Sequence, residues 1–363
     1  MAFDLIWGHF LRRYLNFIHF SHTKRRFLIV SFLFVATLAG LFPPVARFPQ
    51  GGTDRVSAAE RNAPIYGDAT SPSPMADFSS FVDEAWPLYH AMTATGVFQL
   101  TAGLRPGRGE AIPNAADVSA LPVKDVSFYN ARDELLSGWL ALSSPGAPVI
   151  ILNHGTPGNR VSMLSRATFL FNHGFTVLLF DFQSYGKSQG VMSTLGMVES
   201  EDILAAIAYV HSLPATMSSK IGVLGLSMGA TAAVLAASHT TDILALVAES
   251  CPVDATLVTT DVPDEAARQA DKQLVEEVYG VDITQARPID VVHKLAGHTA
   301  IFFVNGDADT ITPLAGMQAL FANAGEPKQS WVVPGAQHAQ SFDVDPQEYM
   351  QRVDAFFDKY LGM

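Results

Sequence analysis

Cysteine is nearly absent: Cys251 is the single thiol in 363 residues. That excludes an intramolecular disulfide, thiolate zinc sites, iron–sulfur clusters and a C-x-x-C redox pair. Positive charge is scarce as well, with 23 Lys and Arg against 35 Asp and Glu and a formal charge of −12. A basic footprint is what holds a phosphate backbone, so nucleic acid is excluded as a partner. The histidines form no H-x-H or H-x-x-x-H pair of the kind that binds metal. Gly155-Thr156-Pro157-Gly158 lacks the Lys-Ser or Lys-Thr pair of a phosphate loop, and no internal repeat recurs.

What is plentiful is apolar sequence, 48% hydrophobic against 16% charged. The composition suits a large core that needs no staples. Residues 27–46 carry no charge at all. At 1.5 Å per residue, such a helix is about 30 Å long, the thickness of a bilayer core. Lys24-Arg25-Arg26 precede it. Positive flanks stay in the cytoplasm, so the expectation is a signal anchor at 27–46 with the body of the chain extracytoplasmic, periplasmic or extracellular. A cleaved signal peptide ending near Val56-Ser57-Ala58, or a buried helix, are the alternatives. Segment 1–26 interleaves Trp7, Phe10, Tyr14, Phe17 and Phe20 with Arg12 and Arg13, as a cytoplasmic or interfacial segment would. Residues 47–76, with Gly51-Gly52 and Ser71-Pro72-Ser73-Pro74, have the composition of a linker. Residues 77–121, carrying Phe78, Phe81, Trp86, Tyr89 and Phe98, are expected to pack on the body as an extension. One candidate span excludes a transporter.

From residue 122 onward, strand-like and helix-like segments alternate. Residues 123–128 and 134–142 flank an Asn130–Asp133 turn and predict a hairpin. Short continuous apolar runs at 148–152, 176–180, 221–224, 243–248, 300–304 and 330–333 predict strands, most of them buried on both faces. Helices are predicted over 163–173, 199–212, 228–238, 317–323 and 347–360. The class is therefore α/β: a mostly parallel, doubly wound sheet with antiparallel strands at one edge. Residues 255–286 form an insertion in which 265–279 predicts an amphipathic helix, with Ala266, Ala270, Leu274 and Val278 four apart.

Gly225-Leu226-Ser227-Met228-Gly229 follows one of these strands and opens an Ala-rich helix, the setting in which G-x-S-x-G carries chemistry. A serine on so tight a turn is lifted clear of the sheet, and the helix N-terminus brings partial positive charge to a developing oxyanion. A nucleophilic serine needs a base, and the base an orienting acid, in the order Ser, Asp, His at successive strand ends. Asn305-Gly306-Asp307-Ala308-Asp309 follows one later strand and Pro334-Gly335-Ala336-Gln337-His338 the next. The acid could be Asp309, Asp307 or Asp254.

These motifs, with Asn153-His154-Gly155, Asp181-Phe182-Gln183-Ser184-Tyr185-Gly186-Lys187-Ser188, Thr194-Leu195-Gly196, Glu199 and Asp202, make residues 122–361 resemble the α/β-hydrolase superfamily. The likeness is to its BEM46-like branch, near the serine aminopeptidases and monoacylglycerol lipases. The resemblance implies an α/β-hydrolase domain over 122–363, with 255–286 as lid. It implies Ser227 as nucleophile, His338 as base, Asp309 as acid, and the Thr156 and Met228 amides as the oxyanion hole. Asp307 is then a turn cap. No metal or organic cofactor is implied. The expected substrate is a small acyl compound, and the expected activity is ester hydrolysis through an acyl-enzyme. Peptidase or acyltransferase chemistry on the same triad and an inactive scaffold are the alternatives. Dehalogenase and epoxide-hydrolase chemistry would need aspartate at position 227. His154 is expected beneath the oxyanion loop, Tyr185 and Lys187 at the surface of a turn, and Cys251 in the core or at the rim.

Overall fold

Val149–Asn153, Thr176–Phe180 and Ile221–Leu226 are buried at every position, as strands covered on both faces must be. In a computed structural model of the chain they form the middle of an eight-stranded sheet. The structure describes residues 111–118, 121–190, 193–257, 276 and 279–362, all within the compact unit Val56–Met363. The strands are β1 Lys124–Tyr129, β2 Leu135–Ala141, β3 Val149–Asn153, β4 Thr176–Phe180, β5 Ile221–Leu226, β6 Ile243–Glu249, β7 Ala300–Gly306 and β8 Lys328–Val333. Their order across the sheet is β1-β2-β4-β3-β5-β6-β7-β8. The β1–β2 hairpin lies antiparallel at one edge, with β2 antiparallel to β4, and every other pair is parallel. This is the α/β-hydrolase arrangement that the motifs imply.

Period-two alternation divides the core between the two faces. Val149, Ile151, Val223, Ile301 and Phe303 point to one face, where they meet α2 (Met197–Ser212), α3 (Met228–Ala237) and α4 (Leu314–Asn323). Ile150, Leu152, Leu224, Phe302 and Val304 point to the other, against α1 (Leu164–Asn172) and α5 (Pro346–Leu361). Helix α3 is mostly small residues, with Gly229, Thr231 and five Ala among its ten residues, and is buried along its whole length, so it can lie close to the strands. Helix α5 has Pro346 at its first position and the Asp345 carboxylate accepting from the Glu348 amide, a stabilised N-terminus. Burying each large apolar side chain contributes roughly 1.5–3 kcal/mol, and this two-sided packing is the rigid base on which the site stands.

Among the described residues, the predicted elements are present with shifted ends. The helix expected over 163–173 divides into a 3-10 turn, Arg160–Met163, and α1, with His173 as its C-cap. Tyr185 is a correction: expected at the surface, it is fully buried and forms an edge contact with the His154 ring at 5.0 Å. Lys187 is exposed. The last part of the extension packs on the body through Ile112, Ala115 and Val118. Segments 1–26, 27–46 and 47–76, residues 77–110, and the helix expected over 265–279 (Glu276 and Tyr279 excepted) lie outside the described residues. Among the described residues, no helix is long and apolar enough to cross a membrane.

Candidate active site

Ser227 sits between the end of β5 and the first residue of α3, with φ 54° and ψ −116°. Positive φ in a residue with a side chain is strained and needs support from its surroundings. Here the support is a close approach of backbone. A Cβ on Gly225 would fall 2.4 Å from the Gly229 oxygen, and one on Gly229 would fall 2.4 Å from the Asn153 oxygen. Both glycines of G-x-S-x-G are therefore required by contact. The Ser227 amide donates to the Glu249 oxygen at the end of β6, at 2.9 Å, and its side chain faces the His338 loop.

Parallel strands end on one rim of the sheet, so residues that follow β5, β7 and β8 can meet there. The Ser227 hydroxyl lies 2.9 Å from His338 Nε2, and His338 Nδ1 lies 2.9 Å from Asp309 Oδ2 and 3.2 Å from Oδ1. A proton on Nδ1 donates to the carboxylate, which leaves Nε2 to accept from the serine. The amides of Ile311 and Thr312 and the Thr312 hydroxyl all donate to the Asp309 carboxylate, at 2.9, 2.8 and 2.6 Å. Burial pushes the Asp309 carboxyl up, but His338 and the Thr312 hydroxyl and amide outweigh it and hold the group below the usual carboxylate range.

The two rival acids are engaged elsewhere. Asp307 accepts from the Gly335 amide at 2.6 Å, so instead of capping its own turn, as expected, it ties that turn to the loop that carries His338. Asp254 binds Arg287 and accepts from the Thr256 amide and hydroxyl. Cys251 is buried, and that burial pushes its thiol well up. Among the described residues no group of His, Cys, Asp and Glu is arranged to hold a metal ion.

Thr156 lies in the loop after β3, and Met228 opens α3, where its N–H has no intrahelical acceptor. His154 supports the Thr156 loop from below. Its Nε2 accepts from the Phe182 amide at 3.2 Å, so Nδ1 carries the proton and donates to the Gly155 oxygen at 2.8 Å. Burial lowers the His154 pKa, which keeps the ring neutral and structural. Asp181 ties this loop to the one after β4. It accepts from the Arg160 amide and guanidinium and from the Lys187 amide. Tyr185 points its hydroxyl at the Met228 sulfur, 3.1 Å away. Thr312 was not among the expected site residues, although the Asp-x-x-Thr spacing of Asp309 and Thr312 is a recognisable turn signal.

Residues 162–363 match the prolyl oligopeptidase family, more than half of the chain and all of the segment that carries Ser227, Asp309 and His338. The chain belongs to the prolyl oligopeptidase family. As a member of that family with this sheet and serine elbow, it is a serine hydrolase of the α/β-hydrolase superfamily. Among similar proteins, YfhR of Escherichia coli O157:H7, itself uncharacterized, is 26% identical over 229 residues, 60% of this chain and 74% of its own. The quorum-quenching protein AidA of Acinetobacter baumannii is 32% identical over 133 residues, 35% of this chain and 43% of its own. In structure, the Pyrococcus furiosus esterase Pf2001 superposes with a TM-score of 0.58 at 26% identity, covering 71% of this chain and 100% of its own. The α/β hydrolase GrgF of a Penicillium species also gives 0.58, at 19% identity over 67% of this chain and 100% of its own, a likeness of fold alone.

Proposed function

We propose that this member of the prolyl oligopeptidase family is a carboxylic ester hydrolase working through Ser227, His338 and Asp309. Residues 27–46 anchor it in a membrane and the catalytic domain is extracytoplasmic. The observation that carries the catalytic reading is the unbroken line of contacts from the Ser227 hydroxyl through His338 to Asp309.

His338 Nε2 takes the Ser227 proton as the oxygen attacks the acyl carbonyl. The Met228 and Thr156 amides receive the oxyanion, each worth about 2.7–4 kcal/mol in such sites. His338 then protonates the departing alkoxide, leaving an acyl-Ser227 and an alcohol. Water attacks the acyl group, its proton passes to His338, and the carboxylic acid departs as Ser227 recovers its proton. Asp309 holds the imidazole tautomer throughout and stabilises the imidazolium. No cofactor is needed for either half-reaction.

Similarity to the P. furiosus esterase over the whole of its length supports an ester substrate. A second reading, peptidase chemistry on the same three residues, is supported by the name of the family to which the chain belongs. The test is labelling of the full-length protein with a fluorophosphonate probe beside Ser227→Ala, followed by parallel assay of p-nitrophenyl esters and prolyl-amide peptides. Labelling lost in the variant, with turnover of the esters, is expected. A folded wild type that resists the probe overturns the triad, and turnover of the peptides alone replaces esterase with peptidase.

A further inference from the structure

Ala339, the residue after His338, has φ 62°, a conformation that a residue with a side chain holds only under constraint. Both of its peptide groups are held. Its amide donates to the Ser250 hydroxyl at 3.1 Å, and its oxygen receives a longer contact, 3.4 Å, from Arg166 Nη2. Ser250 is itself at positive φ, 49°, and is tied to β7 by its amide, which donates to the Val304 oxygen at 2.9 Å.

Arg166 comes from α1, on the far side of the sheet from α3, and is almost completely buried. Its guanidinium meets the Glu249 carboxylate in a two-pronged pair, Nη2 to Oε1 at 2.8 Å and Nε to Oε2 at 3.0 Å. Tyr349 of α5 donates its hydroxyl to the same carboxylate at 2.7 Å. The Phe342 ring, from the turn after His338, covers the guanidinium at 5.1 Å and the Tyr349 ring does so at 5.4 Å. Glu249 thus serves both partners of the proton transfer. Its main-chain oxygen holds the Ser227 amide, and its side chain holds the arginine against the His338 loop.

We propose that Arg166, fixed by Glu249, and Ser250 are positioning residues that hold the Ala339 peptide and thereby keep the His338 ring between Ser227 and Asp309. The inference rests on His338 acting as the base. Arg166, Glu249 and Ser250 make their hydrogen bonds to one another's elements and to the Ala339 peptide rather than to the serine oxygen or the imidazole, so they act through the backbone. A planar guanidinium suits this work because one fork can bind the carboxylate while a remaining N–H reaches the Ala339 oxygen.

Removing one member of a buried ion pair leaves the other uncompensated and risks unfolding the protein. The deciding variants are therefore Arg166→Met/Glu249→Gln, which removes both charges together, and Ser250→Ala, which removes one hydroxyl. In the full-length chain, both are expected to keep the wild-type circular dichroism spectrum. With a p-nitrophenyl ester, kcat should fall by about tenfold or more while KM stays within about twofold, because binding is intact and orientation is lost. A second readout is independent of turnover. The His338 ring N–H proton resonance, assigned by its loss in His338→Gln, should move or broaden in both variants. Either an unchanged kcat or an unmoved resonance in the folded double variant overturns the inference. Failure of the esterase reading looks different: wild type is then inactive on every ester, while the resonance still reports whether Arg166 and Ser250 hold the ring.

Discussion

The Asp307 carboxylate accepts the Gly335 amide at 2.6 Å, so the loop that carries the acid is tied to the loop that carries the base. Two aspartates two positions apart thus have separate uses, one joining loops and one meeting His338. The first prediction follows from that division. Asp309→Asn is expected to lower kcat by about 10⁴-fold, as loss of the correct imidazole tautomer does. Asp307→Ala is expected to keep kcat within about tenfold while losing roughly 1 kcal/mol of stability, the worth of one hydrogen bond. Steady-state kinetics and urea unfolding of the two variants check this, and exchanged effects would make Asp307 the acid.

Gly229 has the Asn153 oxygen where a Cβ would go. Gly229→Ala must push strand β3 and the serine turn apart, and a cost of about 1–3 kcal/mol is expected for such overpacking. Fluorophosphonate labelling of the variant should slow more than its stability falls, because the displaced atoms adjoin Ser227. Thermal unfolding and labelling rate, measured together, decide the point.

Asp309 also makes stability depend on pH in a stated direction. Its carboxyl is held below the ordinary value of 3.8 in the folded chain. A depressed carboxylate stabilises the fold fully above its unfolded-state pKa, and that stabilisation is lost as pH falls through the folded value. The stability difference between wild type and Asp309→Asn should therefore be wider at about pH 6 than at about pH 3. Urea midpoints at the two pH values measure it. A gap that widens on acidification would contradict the sign.

The proposed membrane anchor at residues 27–46 carries a prediction of topology. An alkaline phosphatase fused after Glu60 is expected to be active, and a reporter that works only in the cytoplasm is expected to be silent there. The reverse pattern would put the catalytic domain on the cytoplasmic side.

Much of the sheet and the line from Ser227 to His338 was legible because both rest on local pattern. Val149–Asn153 and Thr176–Phe180 announce themselves as strands because burial on both faces demands apolar residues in succession. Ser227 is conspicuous because the backbone contacts around it tolerate only glycine two positions to either side. Tyr185 was misread because its neighbours, Gln183, Ser184 and Lys187, suggest a solvated turn, whereas the ring is drawn inward against His154, which is 31 positions earlier in the chain. Arg166 and Glu249 left no trace in the sequence pattern. A buried ion pair between residues 83 positions apart has no periodicity, and each charge alone resembles a surface residue. Ser250 and Ala339 are ordinary side chains in unusual backbone conformations, and nothing in their identities predicts positive φ.

Arg160 and Asp181 are fully enclosed, and Arg166 and Glu249 nearly so. Dissolved ions cannot come between partners that solvent does not reach, although at about 1 M salt the screening length is only about 3 Å. Exposed pairs such as Arg352–Glu348 and Arg287–Asp290 are open to such screening. In brine the chain would therefore lose its surface electrostatics first and keep the two charge pairs that hold the loops around its candidate active site.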